Sequence, residues 1–99
     1  MKDIAPSSTD YQSLYQTLSL LNDPDLVRRF LIDLCTPAEL QAMVDRWRVV
    51  PLLQQNIPYR DIAKQTGVSV TTITRVARAL NHGENGYQDA LKLTGDQKI

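Results

Sequence analysis

Between residues 60 and 78 stand four cations, Arg60, Lys64, Arg75 and Arg78, and a run of three threonines, Thr71, Thr72 and Thr74. Guanidinium and ammonium groups neutralise phosphates. Threonine hydroxyls and arginine forks reach both phosphate oxygens and base edges. Within residues 56–82 only Asp61 opposes the four cations. This set suits recognition of a polyanion that carries hydrogen-bonding edges, rather than the making and breaking of bonds.

The elements that must position these side chains lie in Tyr59 to Arg78, YRDIAKQTGVSVTTITRVAR. Ile62 and Ala63 mark the inward face of a short helix, with Tyr59 one turn back. Gly67 ends it, as a residue free to take positive φ would. Ser69 can N-cap a second helix, on which Val70, Ile73, Val76, Ala77 and Leu80 recur at the spacing of one buried face. Ala63 is small enough for a tight helix crossing. The spacing predicts a helix-turn-helix over about 59–81, whose second helix would enter the DNA major groove. The competing reading is a helical hairpin in an ordinary all-α domain. The agreement of Ala63, Gly67, Val68, Ile73 and Val76 with an acid-free outward face favours DNA. On that reading Arg60, Lys64 and Ser69 position the element on phosphates. Val70, Thr71, Thr72, Arg75 and Arg78 are groove contacts, with the N-terminal three ranked ahead of Arg78 for base reading.

The remaining chain supplies more helices. YQSLYQTLSLL predicts an amphipathic helix from Tyr11 to Leu21, capped by Thr9 or Asp10. Asp23-Pro24 opens a second, to about Leu34, burying Leu26, Val27, Phe30, Leu31 and Leu34. Thr36-Pro37-Ala38-Glu39 opens a third with a capping box. Its expected inward stripe is Leu40, Met43, Val44, Trp47, Val50 and Leu53, with a kink or break near Trp47–Pro51. NHGENGY reads as a turn, with His82 as a helix cap, before a last helix from about Tyr87 to Leu93. The expected organisation is a loose arm over 1–10, one domain over 11–94 and a frayed tail over 95–99. The fold class is all-α with six helices.

The 99 residues suffice for one modest core. Several helices are too short to stand alone, and residues 11–35 are apolar enough that a homodimer packing through them is expected. Eleven basic residues balance eleven acidic ones, which argues against a generic polycation. Residues 1–35 carry three bases against five acids, however, whereas the 56–82 stretch is basic. No apolar run is long enough to span a bilayer, and the first ten residues lack a signal-peptide core. Cys35 is the only cysteine, so no internal disulfide forms, and a reducing cytoplasm is the expected location. No nucleophile–base set, metal-ligand spacing or phosphate loop is present; no catalytic residue, metal or cofactor is expected.

Cys35-Thr36-Pro37-Ala38-Glu39, Arg46-Trp47-Arg48, Ala63-Lys64-Gln65-Thr66-Gly67 and Thr72-Ile73-Thr74-Arg75 together resemble the tryptophan repressor superfamily. Arg75 to Leu80 followed by NHGENGY is most similar to its YerC/YecD branch. The resemblance implies an intertwined all-helical homodimer that presents two helix-turn-helix units to a palindromic double-stranded operator. It also implies an effector pocket, with Arg46 and Arg75 sandwiching an indole and Thr72 completing the site. Three residues depart from that pattern. Trp47 replaces a small aliphatic residue, Val76 a glycine and Ala79 a serine. Filling a packed slot typically costs about 1–3 kcal/mol, so L-tryptophan binding is expected to be lost, with Trp47 as an internal prop stacked by Arg46 or Arg75. Arg46 is equally open to pairing with Asp45 or Asp61. The effector is unknown: none, or a smaller carboxylate. The expected function is sequence-specific, repressor-like transcription regulation. The alternative is a helix-turn-helix that docks proteins without reading DNA.

Overall fold

A computed structural model describes residues 4–95. Among them lie six α-helices and no strand: α1 Ser8–Leu20, α2 Pro24–Leu34, α3 Pro37–Gln54, α4 Tyr59–Thr66, α5 Val70–His82 and α6 Gly86–Gly95. The chain divides into two compact units, one ending at Leu40 and one beginning at Gln41, within α3.

In the first unit local capping sets the helix starts. Ser7 Oγ accepts the Asp10 N–H at 3.2 Å while Asp10 Oδ2 accepts the Ser7 N–H at 2.9 Å. The cap of α1 is therefore Ser7, not Thr9 or Asp10, because Asp10 is the third-residue partner of a capping box. The helix begins at Ser8, so three residues of the expected arm are helical. Residues 1–3 of that arm, and 96–99 of the expected tail, lie outside the described residues. Asp23 caps α2 through the Leu26 N–H, with Pro24 at its first position. Thr36 and Glu39 form the capping box of α3 at 3.1 and 2.8 Å. Neither α1 nor α2 has a buried residue. Leu26, Val27, Phe30 and Leu31 are half-buried and Leu34 is 52% exposed, so the expected buried face of α2 is not closed within one chain.

The core belongs to the second unit. Val49, Val50, Ile62, Val68, Ile73, Val76 and Leu80 form it, and Leu52, Leu53, Ile57, Ala63, Tyr87 and Leu91 pack against it. Within α3 the buried pair is Val49 and Val50, whereas the expected Met43, Val44 and Trp47 are exposed. The C-terminal half of the helix supplies the residues that meet α4, α5 and α6. Of the kink or break expected near Trp47–Pro51, the break is absent: α3 runs unbroken through Pro51 to Gln54. Its end is a Schellman motif: the Ile57 N–H reaches the Leu52 carbonyl at 3.2 Å and the Asn56 N–H reaches Leu53 at 2.9 Å. Asn56 takes the required positive φ of 61°. At the end of α5, Gly83 rather than His82 is the cap, its N–H bonding to the Ala79 carbonyl.

Candidate nucleic-acid interface

α4 is only eight residues long and has no side-chain cap. The amides of Asp61 and Ile62, its third and fourth residues, bond to the Pro58 carbonyl. What holds it is burial of Ile62 in the core, together with its C-terminus. Gly67 sits in the left-handed region at φ 76° and donates its N–H to the Ala63 carbonyl at 2.8 Å. Thr66 stitches the turn: its hydroxyl donates to the Ile62 carbonyl at 2.7 Å and accepts the Val68 N–H at 3.1 Å. Val68 is buried beneath. One residue later Ser69 Oγ accepts the Thr72 N–H and caps α5. Three residues therefore carry the chain from one helix to the next, and each has its backbone or side chain committed.

α5 buries Ile73, Val76, Ala77 and Leu80 and turns the remaining residues outward. Val70, Thr71, Thr74, Arg75 and Arg78 line one shallow depression of about 350 Å³ on the exposed side. Five residues at helical spacing thus present one surface of hydroxyls, guanidinium groups and a half-exposed valine. Thr74 Oγ1 is occupied by the Val70 carbonyl, and Thr72, half-buried, takes a hydrogen bond from the Ser69 hydroxyl. Arg60 and Lys64 are exposed on α4. The ion pairs of the described residues are Arg28 and Arg29 with Asp25, and Arg48 with Asp45. None lies on α4 or α5, so Arg60, Lys64, Arg75 and Arg78 carry their charge without an intramolecular partner among the described residues.

Of the residues assigned to an effector pocket, Thr72, Arg75, Val76 and Ala79 fall within two turns of α5, and Arg46 and Trp47 lie on α3. Val76 is 1% exposed and belongs to the core cluster, whereas Ala79 is exposed on the same helix. Arg75 lines the depression on the exposed side of α5. Trp47 lines a separate depression of about 670 Å³ that includes Arg48, Pro51, Gln88 and Leu91. The ring beside Trp47 is Tyr87 of α6, with centroids 6.4 Å apart and planes 26° from parallel, in place of either arginine. Arg46 is half-buried and has no ion pair among the described residues, since Asp45 is taken by Arg48 at 3.0 Å. Two participants went unread in the sequence: Arg48, which donates to the Thr66 carbonyl at 2.6 Å, and Thr66 itself. The Asp45–Arg48 spacing signals an ion pair, but nothing local signals a contact across 18 positions.

This geometry has counterparts. Residues 9–94 match the family described as Trp repressor protein. The uncharacterized protein YerC of Bacillus subtilis (strain 168) is 37% identical over 82 residues, covering 83% of this chain and 79% of that protein. A Trp operon repressor homolog of Xylella fastidiosa (strain 9a5c) is 31% identical over 83 residues, covering 83% of this chain and 88% of the homolog. The crystal structure of a TrpR-like protein from Eubacterium eligens ATCC 27750 superposes with a TM-score of 0.84 at 35% identity, over 90% of this chain and 92% of that one. With six helices, this capped turn and a match across most of its length, the chain belongs to the Trp repressor family, whose members are regulators rather than enzymes.

Proposed function

We propose that this protein is a sequence-specific DNA-binding regulator, repressor-like, that acts as a homodimer on a palindromic operator and does not respond to tryptophan. The observation that carries the reading is the unpaired set Arg60, Lys64, Arg75 and Arg78 around a capped, outward-facing α5. Exposed cations that leave nearby acids unused are available to phosphates, and the N-terminal turn of α5 offers Val70 and Thr71 to base edges. The homodimer is supported by α1 and α2, where Tyr11, Tyr15, Leu20, Ile32 and Leu34 stay at least half exposed or nearly so in one chain. Loss of tryptophan response is supported by Val76, whose side chain occupies core volume where an indole would need an open slot.

The test is selection of DNA fragments from a random pool by purified protein at physiological salt, with and without L-tryptophan. One enriched palindrome, the same in both arms, is the expected result. Enrichment only with tryptophan would overturn the effector argument. No enrichment in either arm would move the assignment to a helix-turn-helix that docks other proteins.

A further inference from the structure

Arg48 makes a polar contact between α3 and the turn of the helix-turn-helix. Its Nη2 lies 2.6 Å from the Thr66 carbonyl oxygen and 3.0 Å from Asp45 Oδ1. One nitrogen with two hydrogens therefore joins an acid on α3 to the last residue of α4, immediately before Gly67. The contact falls at a vulnerable place. α4 spans two turns, the helix after it is reached in three residues, and the direction of α5 follows from how that turn is held. The apolar core beneath, including Val49, Ile62 and Val68, supplies attraction but little direction, because burial of apolar surface is not orientational. A charge-assisted hydrogen bond to a carbonyl is directional. Asp45 is half-buried and carries no other ion pair among the described residues, so it holds the guanidinium in place without competing for the carbonyl.

The geometry points to Arg48, oriented by Asp45, as the positioning residue of the recognition helix: it fixes the α4 end of the turn and so pre-sets the angle at which α5 meets DNA. This rests on the DNA-reading assignment made above. Arg48 is half exposed, so the bond adds little to global stability. Its consequence is that the specific complex does not have to order the turn on binding, whereas non-specific binding, driven by phosphates, does not depend on that order.

Three variants of the full chain test this: Arg48→Met, Arg48→Lys and Asp45→Asn. Lysine keeps the charge but ends in a flexible ammonium on a shorter stem, without the planar guanidinium that places Nη2 between the two oxygens. Binding to the selected operator and to random DNA is measured across a salt series, and amide exchange is followed at Gly67 and Val68. The expected result is a fall of roughly fivefold in the specific-to-random ratio for all three variants, the free energy of one exposed charged contact. Salt slopes stay unchanged and exchange at both amides rises. Rescue by Arg48→Lys, with a slope reduced by about one in Arg48→Met, would make Arg48 a phosphate ligand and overturn the proposal. Variants that keep both the ratio and the slow exchange would overturn it as well. Failure of the underlying DNA assignment shows separately, as wild-type protein that selects no motif; the exchange data then decide on their own whether Arg48 orders the turn.

Discussion

Gly67 is the residue on which the turn depends most. A Cβ built there meets no atom within 4 Å, so space is not the constraint. The constraint is φ, at 76°, where a non-glycine residue costs roughly 1–2 kcal/mol. Gly67→Ala should therefore lower unfolding free energy by about that amount in urea titration, with no change in the denaturant slope; a neutral result would mean that the turn relaxes. Such residues were legible because their signals are local. Asp23-Pro24, Thr36 with Glu39, Gly67 and Ser69 each announce themselves within three positions, and each occupies its expected place. Ser7 was missed for a related reason: the four adjacent residues Ser7, Ser8, Thr9 and Asp10 all qualify as caps, and the reciprocal bond between Ser7 and Asp10 decides among them.

The helix-turn-helix separates burial from charge cleanly. α5 commits Ile73, Val76, Ala77 and Leu80 to the core and leaves its arginines in solvent. Arg60→Ala and Lys64→Ala should each weaken binding to all DNA sequences alike and reduce the slope of log K against log salt by about 0.9 per lost phosphate contact. A variant that alters sequence preference at constant slope would reassign that residue to base reading. The face of α5 was readable from its period. The buried part of α3 was not. Apolar residues occur along the whole helix, and only the packing of α4, α5 and α6 against its C-terminal half selects Val49 and Val50. Trp47 against Tyr87 and Arg48 against Thr66 are likewise invisible to any local pattern, being 40 and 18 positions apart.

At the scale of the molecule, the buried residues among those described all lie from Val49 onward, while α1 and α2 bury none. Helices with an apolar face and no closed core of their own are stabilised when a second copy covers them. Leu34 is 52% exposed, so Leu34→Lys should be nearly neutral for an isolated chain and disruptive for a dimer. Sedimentation at micromolar concentration is expected to give a dimer for the wild type and a shift toward monomer for the variant. A wild-type monomer would remove the palindromic operator from the proposal. No helix of the described residues is long and apolar enough to cross a membrane, so the exposed apolar surface is not accounted for by a spanning segment.

The order of packing in the second unit also bears on how the chain comes to be folded. α4 packs on α5 and α5 on α6, each its neighbour in sequence, joined by loops of only three residues. Contacts of such short span close quickly; helical domains of this type fold in microseconds to milliseconds. Association of two copies is bimolecular and slows with dilution. If the chain works as a homodimer, its second unit would thus be complete before a partner is met. The pace at which active dimers accumulate would then be set by encounter rather than by folding.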